Sequence, residues 1–325
     1  MPPRTLLFTL AEDEASSTDT HFAVRHRVDE HDCLWFATAL RDRGHDVWFV
    51  NWRALDLDRR TLRRAFRSGG GRFEQDVPLG RFDLAFVYKM EGFLRDQERF
   101  FAMVDAFEQC CATVVNAPAT IRSNIDKSYL FELAAAGLPV IPSWRAEDGL
   151  AVAALRAQGA SAVVKPLRGE RGAGITRLDA GEDDARWTEA LRALPPGANL
   201  VQRFEPGIRD GERSLAFLGH AFQHAVIKRP NPADPTEFRC NESLGGSVHP
   251  YSPTKEERDF SARVLRAAES LGWPVRFSRI DLVPGDEGPL LMEAELLNPS
   301  VYANYVGRGE DFGRALAAYF ETLMA

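Results

Sequence analysis

Residues 162–175 read AVVKPLRGERGAGI, a short apolar strand pattern that ends near Lys165 and continues into a loop rich in glycine and arginine. Three glycines within six positions, Gly169, Gly172 and Gly174, let backbone N–H groups approach a phosphate without interference from a Cβ atom. The spacing is neither that of the P-loop nor that of the GxGxxG dinucleotide fingerprint. By itself the loop fits two interpretations, a phosphate cradle and an ordinary flexible hairpin.

Other charged residues of the chain favour the phosphate interpretation. Lys127 opens a predicted helix. Three acids lie on two neighbouring strand patterns near the C-terminus, and they are Asp281, Glu293 and Glu295. In the strings SRID and EAE the candidate residues are two apart, which on a strand places each pair on one face. Carboxylate oxygens on one face can hold Mg²⁺, and Mg²⁺ in turn can hold a polyphosphate.

The whole-chain composition limits the class of protein. The chain has 325 residues, of which 45% are apolar and 27% charged, so about two packed domains are expected and disorder is not. Its formal net charge of −7 argues against a nucleic-acid partner. Four irregularly spaced cysteines predict no disulfide framework, and no stretch approaches the roughly 20 apolar residues that span a bilayer. We therefore expect a cytoplasmic protein without a membrane partner.

The order of strand and helix patterns predicts an α/β fold. Over residues 6–115, short buried-strand patterns alternate with helical ones, as in a parallel α/β unit. Ligands of such sheets bind beyond the carboxyl ends of the strands, so residues 12–27 and 89–91 are expected at a cleft. The arginine-rich residues 53–72 are interpreted as a solvated helix and a loop, because exposure is the common state of arginine.

Seven strings allow a choice between the two interpretations of the glycine loop. In chain order they are NAPATIRSNIDKSYL, VVKPLRGERGAGI, LVQRFEPGIRDGERSLAFLG, HAVIKRP, FRCNESLGG, RIDLV and MEAELLNP. In content and order they resemble the ATP-grasp superfamily, in its glutathione-synthetase-like and RimK-like branch. The layout of the N-terminal half is most similar to the D-cycloserine-forming cyclo-ligase group. The resemblance covers residues 116–325 well and residues 1–115 loosely.

The resemblance implies a fold and a domain division. The fold is an α/β ATP-grasp fold in three parts. A Rossmann-like pre-ATP-grasp domain would span residues 1–118, and a small subdomain with the glycine-rich lid loop would span 119–203. A C-terminal α+β subdomain with the metal site would span 204–325.

The resemblance also implies a nucleotide site. Two lysines would contact the α and β phosphates, and the glycine loop with its arginines would close over the β and γ phosphates. A hinge would bind adenine, with an aromatic or methionine side chain on the ring, and an acid would accept from the ribose hydroxyls. The implied residues are Lys127 and Lys165 for the phosphates; Arg168, Gly169, Arg171, Gly172 and Gly174 for the loop; Gln202, Phe204, Glu205 and Met292 for adenine; and Glu212 for the ribose.

A metal site is implied at the two C-terminal strands. One or two Mg²⁺, with Mn²⁺ as the alternative ion, would be held by Asp281, Glu293 and a third residue. The family's usual string is Glu-x-Asn, whereas here the third position is Glu295 and an asparagine follows only at Asn298. We favour Glu295 as the third ligand, and Asn298 is the alternative.

The activity that the resemblance implies is that of an ATP-dependent ligase that forms a carbon–nitrogen bond. The γ phosphate passes to a carboxylate, and a nitrogen nucleophile then displaces phosphate from the acylphosphate. Arg239 and Arg279 would stabilise the negative charge of both steps. The substrate is expected to be a small amino-acid-like molecule of secondary metabolism, joined to an amine or closed into a ring. Arg25 and Lys89 are candidates for binding its carboxylate.

Two other functions would use the same nucleotide site. A kinase would phosphorylate a hydroxyl and stop there, and a nucleotide-binding protein would carry out no reaction. The second is disfavoured because both lysines and all three acids are present. A homodimer is the simplest expectation for an oligomer.

Overall fold

The computed structural model describes most of the chain. The described residues are 2–10, 31–69, 72–90, 92–147, 149–169, 172, 174–192 and 199–325. Outside them lie the whole predicted cleft segment 12–27, which includes the predicted substrate residue Arg25, and also Glu91 and the loop residue Arg171. Within the described part, none of the helices has the length and apolar character needed to cross a membrane.

The first sheet contains a parallel core of four strands. These are β1 (Thr5–Leu10), β2 (Asp46–Asn51), β6 (Leu84–Phe86) and β7 (Thr113–Val115), in the order β2-β1-β6-β7. Helix α2 (Gln97–Cys110) links β6 to β7, as the alternating pattern predicts. Because the strands are parallel, the carboxyl ends of β1 and β6 lie at the same edge of the sheet. The predicted parallel unit is confirmed.

An antiparallel extension of this sheet corrects one prediction. Residues 53–72 were predicted as a solvated helix, but β3 (Leu55–Asp56), β4 (Thr61–Arg67) and β5 (Arg72–Pro78) add to β2 instead. Phe66 of β4 pairs with Phe73 of β5, and the buried Leu62 pairs with the buried Val77. The arginines of β4 stay at the surface, so pairing of the apolar positions across the strands outweighs the helix propensity of arginine.

A cluster of aromatic rings joins the N-terminal sheet to the C-terminal part of the chain. Helix α1 (His31–Asp42) and the last helix, α8 (Gly309–Leu323), cover one face of the first sheet. Phe86 of β6 lies at the centre of the cluster, in ring contact with Phe8, Phe277 and Phe320. Each such buried ring contributes about 1.5–3 kcal/mol by leaving water. The packing therefore fixes strand β15 (Phe277–Gly285), which begins at Phe277, against the carboxyl end of β6.

The second sheet is small and antiparallel. Its order is β10 (Thr176–Leu178), β9 (Ala162–Pro166), β11 (Asn199–Arg203) and β8 (Ser143–Arg145). Helices α5 (Gly149–Ala157) and α6 (Asp184–Arg192) cover one face, where Val164 and Val201 pack with Trp187. Because side chains alternate along a strand, Val163 and Lys165 point to the opposite face. Lys165 is buried there.

The third sheet is also antiparallel, in the order β14-β13-β12-β15-β16. Helix α7 (Lys255–Ser270) begins with a capping box between Thr254 and Glu257 and packs its apolar face on Ile280 and Leu282 of β15. By alternation, Arg279 and Asp281 point away from α7. The strands are β12 (Glu212–Leu218), β13 (Ala221–Arg229), β14 (Ser247–Tyr251), β15 (Phe277–Gly285) and β16 (Gly288–Glu295).

Two short helices connect the first sheet to the second. They are α3 (Pro118–Ser123) and α4 (Tyr129–Ala135), and Gly137 takes a positive φ of 85° after α4, as a helix-ending glycine does. The three sheets are built from residues 5–115, 143–203 and 212–295. The boundaries predicted at 118 and 203 fall between them and remain predictions.

Candidate nucleotide and metal site

Asp281 is the buried centre of the candidate site. It accepts hydrogen bonds from Ser214 Oγ at 2.6 Å and from Arg279 Nε and Nη2 at 2.8 and 2.7 Å. Burial opposes ionisation, but Arg279 and the nearby Lys228 outweigh it and lower the pKa of Asp281 to about 2. Asp281 is therefore a carboxylate at neutral pH. The expected placement of Arg279 and Asp281 on one face is present.

Two further carboxylates extend this negative region along β16. Glu293 lies opposite Asp281 in the strand register, and Glu295 lies opposite Arg279. Glu293 Oε1 is 3.0 Å from Lys127 Nζ, and despite burial this lysine and Lys165 lower the pKa of Glu293. Burial and the neighbouring Glu293 raise the pKa of Glu295 to about 7. Arg279, whose Nη2 lies 3.4 Å from Glu295 Oε1, offsets this rise only in part.

The chemistry of these donors fits a divalent cation of the magnesium type. All three are hard oxygen ligands on neighbouring positions of two paired strands, and burial together with the charge of Glu293 raises the pKa of Glu295, so a cation here would reduce the repulsion between the carboxylates. In the described ranges, no three acidic, histidine or cysteine side chains are already gathered at metal-ligand spacing. Instead Asp281 bonds to Arg279 and Glu293 bonds to Lys127.

Two lysines of the predicted phosphate site converge on the acids. Lys127 Nζ donates to the Gly169 carbonyl at 3.1 Å and contacts Glu293, so it touches both the glycine loop and β16. Lys165 is buried at the end of β9, and desolvation lowers its pKa to about 8. A buried lysine with a lowered pKa gains from a nearby anion, and a phosphate would supply one.

Gly172 of the glycine loop contacts the loop that connects β13 to β14 in the third sheet. Arg239 Nη1 donates to the Gly172 carbonyl at 3.2 Å, while Glu237 holds the same guanidinium through two hydrogen bonds of 2.8 and 2.7 Å. Gly172 has a φ of 75°, and a Cβ there would lie 3.0 Å from Asn241 Oδ1. Arg168 is exposed, with its Nε 3.6 Å from Asp126. Arg239 therefore contacts the predicted lid directly.

An apolar cluster lies between the second and third sheets and contains the residues that were expected to contact adenine. Phe204, at the end of β11, packs edge-on against Phe238, and Arg177 lies 4.0 Å over its ring. Met292 packs against the same cluster. The other buried members are Ile141, Val163, Ile208, Cys240 and Val283. Phe204 and Met292 thus belong to one cluster, and which of them would pack on adenine stays a prediction.

The remaining hinge residues make local contacts. Gln202 is buried and donates through Nε2 to Ser143 Oγ at 2.9 Å. Glu205 pairs with Arg203 at 3.1 Å.

Glu212 has a partner that the sequence analysis did not identify. It lies opposite Lys228 in the register of β12 and β13, and the two form a buried ion pair. Burial raises the pKa of Glu212 and Lys228 opposes that change. The carboxylate predicted to bind ribose is therefore bonded to a lysine in this structure. Only the cross-strand register brings the two together.

Tyr302 is a second residue that sequence reasoning missed. Its ring lies 5.5 Å from the Arg279 guanidinium carbon and 5.6 Å from Lys228 Nζ. Its φ of 57° is uncommon for a residue with a side chain. Two hydrogen bonds hold the loop that contains Tyr302. His224 Nε2 donates to the Val301 carbonyl at 2.6 Å, and Arg279 Nη1 donates to the Ser300 carbonyl at 2.9 Å.

Asn298 lies beyond the acids, and its side chain bonds to the backbone of Met90. Lys89, the other predicted substrate residue, is next to Met90 and has its Nζ 5.2 Å from the centroid of the Tyr88 ring. The structure therefore brings the loop after β6 to the end of β16.

A family model for the ATP-grasp domain of prokaryotic glutathione synthetase matches residues 141–300. This range contains Lys165, the glycine loop and all three acids, arranged as described above. Over residues 141–300 the chain is thus similar to an ATP-grasp domain. The ATP-grasp fold expected from the sequence is confirmed.

The chain is similar in sequence to relatives with two different names. Glutathione synthetase of Synechocystis sp. is 31% identical over 58% of this chain and 55% of its own length. The cycloserine biosynthesis protein DcsG of Streptomyces lavendulae is 28% identical over 74% of this chain and 84% of its own length. The chain thus spans about half the length of the first of these relatives.

A solved structure extends the likeness to the N-terminal sheet. The crystal structure of D-cycloserine synthetase DcsG has a TM-score of 0.74 and 21% sequence identity, covering 99% of this chain and 100% of that one. At this identity the match is one of fold. The ATP-grasp fold therefore includes the parallel sheet that the sequence resembled only loosely.

Proposed function

We propose that this protein is an ATP- and Mg²⁺-dependent ligase that joins a carboxylate to a nitrogen nucleophile through an acylphosphate. The observation that carries the proposal is the meeting of two lysines with three carboxylates between the second and third sheets. Lys127 contacts both the glycine loop and Glu293, and Lys165 is buried beside them. The names of the relatives, glutathione synthetase and DcsG, support a ligase.

The nucleotide is proposed to lie in the cleft between these sheets. Adenine would enter the apolar cluster of Phe204 and Met292, with the hinge 202–205 offering backbone groups. Lys127 and Lys165 would bind the α and β phosphates, and the loop 169–174 would cover the β and γ phosphates. A ribose role for Glu212 is compatible with its pairing to Lys228 only if one carboxylate oxygen faces the cleft.

Asp281, Glu293 and Glu295 are proposed to hold Mg²⁺. When bound there, Mg²⁺ would neutralise the charge of the phosphates. Glu295 is preferred to Asn298 because it continues the face of Glu293, while both polar atoms of the Asn298 side chain already bond to Met90. On binding, Lys127 and Arg279 would exchange part of their contact with the acids for contact with phosphate.

The protein side chains would then stabilise negative charge and exclude water from the reaction. Arg279 lies beside the acids and would stabilise the negative charge that develops on the transferred phosphoryl group and on the tetrahedral oxyanion. Arg239 holds the Gly172 carbonyl and would keep the lid loop closed over the acylphosphate, which excludes water. No side-chain nucleophile is needed for this reaction.

The substrate is proposed to be a small amino-acid-like molecule, with Lys89 and Arg25 as candidates for its carboxylate. Ring closure within one molecule would need no second substrate pocket. The proposed experiment is a screen of amino acids and small peptides with ATP and Mg²⁺, measuring ADP, free phosphate and product mass. Equimolar ADP and phosphate with a product lighter by one water than its substrates is the expected result. ADP without free phosphate, with a product heavier by one phosphoryl group, would identify a kinase and overturn the ligase.

A further inference from the structure

Asn298 joins two sheets through its side-chain amide. Its Nδ2 donates to the Met90 carbonyl at 2.9 Å, and the Met90 N–H donates to its Oδ1 at 3.2 Å. The Asn298 side chain thus makes the two hydrogen bonds to Met90 that the backbone of a paired strand residue would make in a β-bridge. Met90 follows β6 of the first sheet, and Asn298 follows β16 of the third, 208 residues later in the chain.

The loop after β6 is also anchored from the other side. The Tyr88 N–H donates to Thr9 Oγ1 at 2.9 Å, and Thr9 Oγ1 donates to the Tyr88 carbonyl at 3.1 Å. The Tyr88 ring packs edge-on against Phe277 of β15 at 5.3 Å. Residues on both sides of Lys89 are therefore held by hydrogen bonds to other elements.

Lys89 itself has an uncommon backbone conformation. Its φ is 51°, in the left-handed region that residues with a side chain rarely occupy. Such conformations persist where the surroundings over-determine them, and they concentrate at ligand-binding sites. Among the described residues, no carboxylate forms an ion pair with Lys89, and its ammonium group lies over the Tyr88 ring. The loop thus holds a partly buried cation in a fixed place without a protein counter-ion from the described ranges.

The position of this cation relative to the acids follows from the same amide. Two buried leucines, Leu296 and Leu297, separate Asn298 from Glu295. The bond to Met90 therefore places the loop of Lys89 at the end of the strand that carries Glu293 and Glu295. A carboxylate bound by Lys89 would lie on the side of the proposed phosphoryl-transfer site that faces the first sheet.

We propose that Asn298 is a positioning residue and not a metal ligand: it docks the loop after β6 on the end of β16 and so presents Lys89 to the carboxylate of the substrate. This inference rests on the ligase function proposed above. The amide is suited to the task because it donates to one backbone group and accepts from another. An aspartate is a stronger metal ligand but cannot donate to the Met90 carbonyl.

The test compares Asn298→Ala and Asn298→Asp with Glu295→Gln and with Asn124→Ala. Asn124 is the matched control, because its amide also makes two backbone bonds at β16, to Ala294 O and from Leu296 N, both at 2.9 Å. Three quantities are measured: hydrogen exchange of the Met90 amide, the Mg²⁺ dependence of ADP binding by calorimetry, and KM for ATP and for the substrate found in the screen.

In Asn298→Ala we expect exchange of the Met90 amide to rise by about tenfold, the scale of one lost hydrogen bond. The Mg²⁺ dependence of ADP binding should stay within about twofold of the unmodified protein. KM for the substrate should rise by about tenfold in both Asn298 variants and in Lys89→Met, with KM for ATP unchanged. Glu295→Gln should weaken Mg²⁺ dependence, and neither it nor Asn124→Ala should alter exchange at Met90.

Two results would overturn the inference. If Asn298→Ala weakens the Mg²⁺ dependence, Asn298→Asp restores it and exchange at Met90 does not change, then Asn298 is a metal ligand. If Lys89→Met leaves KM for the substrate unchanged, the loop does not present this lysine. Failure of the unmodified protein to bind ADP would instead reject the proposed nucleotide site, and exchange at Met90 would still decide whether Asn298 docks the loop.

Discussion

Arg279 and Asp281, two positions apart on β15, form an ion pair in which the guanidinium donates to both carboxylate oxygens at 2.8 and 2.7 Å and both side chains are buried. Arg279 also donates to the Ser300 carbonyl. One side chain thereby joins the strand of the acids to the loop of Tyr302. The pair keeps Asp281 ionised in the centre of the candidate site.

Replacing Arg279 by Ala should reduce the free energy of unfolding by about 3–5 kcal/mol, because Asp281 is left buried without its cation. Urea denaturation at pH 7 measures the change. Arg314→Ala is the control, since Arg314 is exposed in its pairs with Asp311 and Glu310 and should cost no more than about 1 kcal/mol. Equal stability of the two variants would mean that the buried pair does not support the fold.

Replacing Lys127 by Met should weaken binding of ADP with Mg²⁺ by about 10- to 100-fold, the range for loss of a hydrogen bond from a charged group. The ammonium group lies between the Gly169 carbonyl and Glu293, where the proposed site requires a cation for phosphate. Calorimetry measures the affinity. Lys255→Met, at an exposed pair with Asp259, should leave it unchanged, and an unaltered affinity in Lys127→Met would remove this lysine from the site.

Replacing Gly313 by Ala should reduce the free energy of unfolding by about 1–3 kcal/mol. A Cβ at this position of α8 would lie 2.8 Å from the carbonyl oxygen and 3.0 Å from the carbonyl carbon of Trp35 in α1. Because these are backbone atoms, they cannot rotate away from the clash as a side chain could. Thermal and urea unfolding report the loss. Gly80→Ala is the matched control because no atom lies within 4 Å of its added Cβ. A loss of similar size in Gly80→Ala would assign the effect to glycine replacement in general.

Glu321 should make stability depend on pH in the acid range. Hydrogen bonds from Arg43 and His45 lower its pKa to about 2 in the folded protein, against 4.5 without them. A lowered folded-state pKa stabilises the fold above pH 4.5, and this contribution is lost as pH falls from there towards 2. In Glu321→Gln the stability lost between pH 5 and pH 3 should therefore be smaller, by about 1 kcal/mol.

The control for this prediction is on the same helix. Glu310→Gln removes a carboxylate that is exposed at the start of α8, next to Arg314. Its pH dependence should match that of the unmodified protein. Identical acid profiles for Glu321→Gln and the unmodified protein would show that the contact with Arg43 and His45 does not contribute.

The strands of the candidate site were predictable because their signals are local. Short apolar runs mark β9 and β16, apolar residues also mark β15, and the spacing of two residues places Arg279 with Asp281 on one face whatever the rest of the fold does. Gly137 ends α4 as expected, because its positive φ is a property of glycine itself. The arginine-rich segment was mistaken for a helix because its partner strand, β5, begins only after the loop, and pairing of Phe66 with Phe73 depends on that partner.

From the amino-acid sequence alone, the resemblance of seven strings to a known superfamily predicted the ATP-grasp fold. Residue type and short spacing indicated the glycine loop, the acids and the lysines as candidates. Only the tertiary structure decided their partners. Lys228 meets Glu212 through strand register, Tyr302 reaches Arg279 through a loop, and Asn298 bonds to Met90 across 208 residues. Contacts between distant segments depend on how the sheets pack, and their energies are not encoded in any one stretch of the chain.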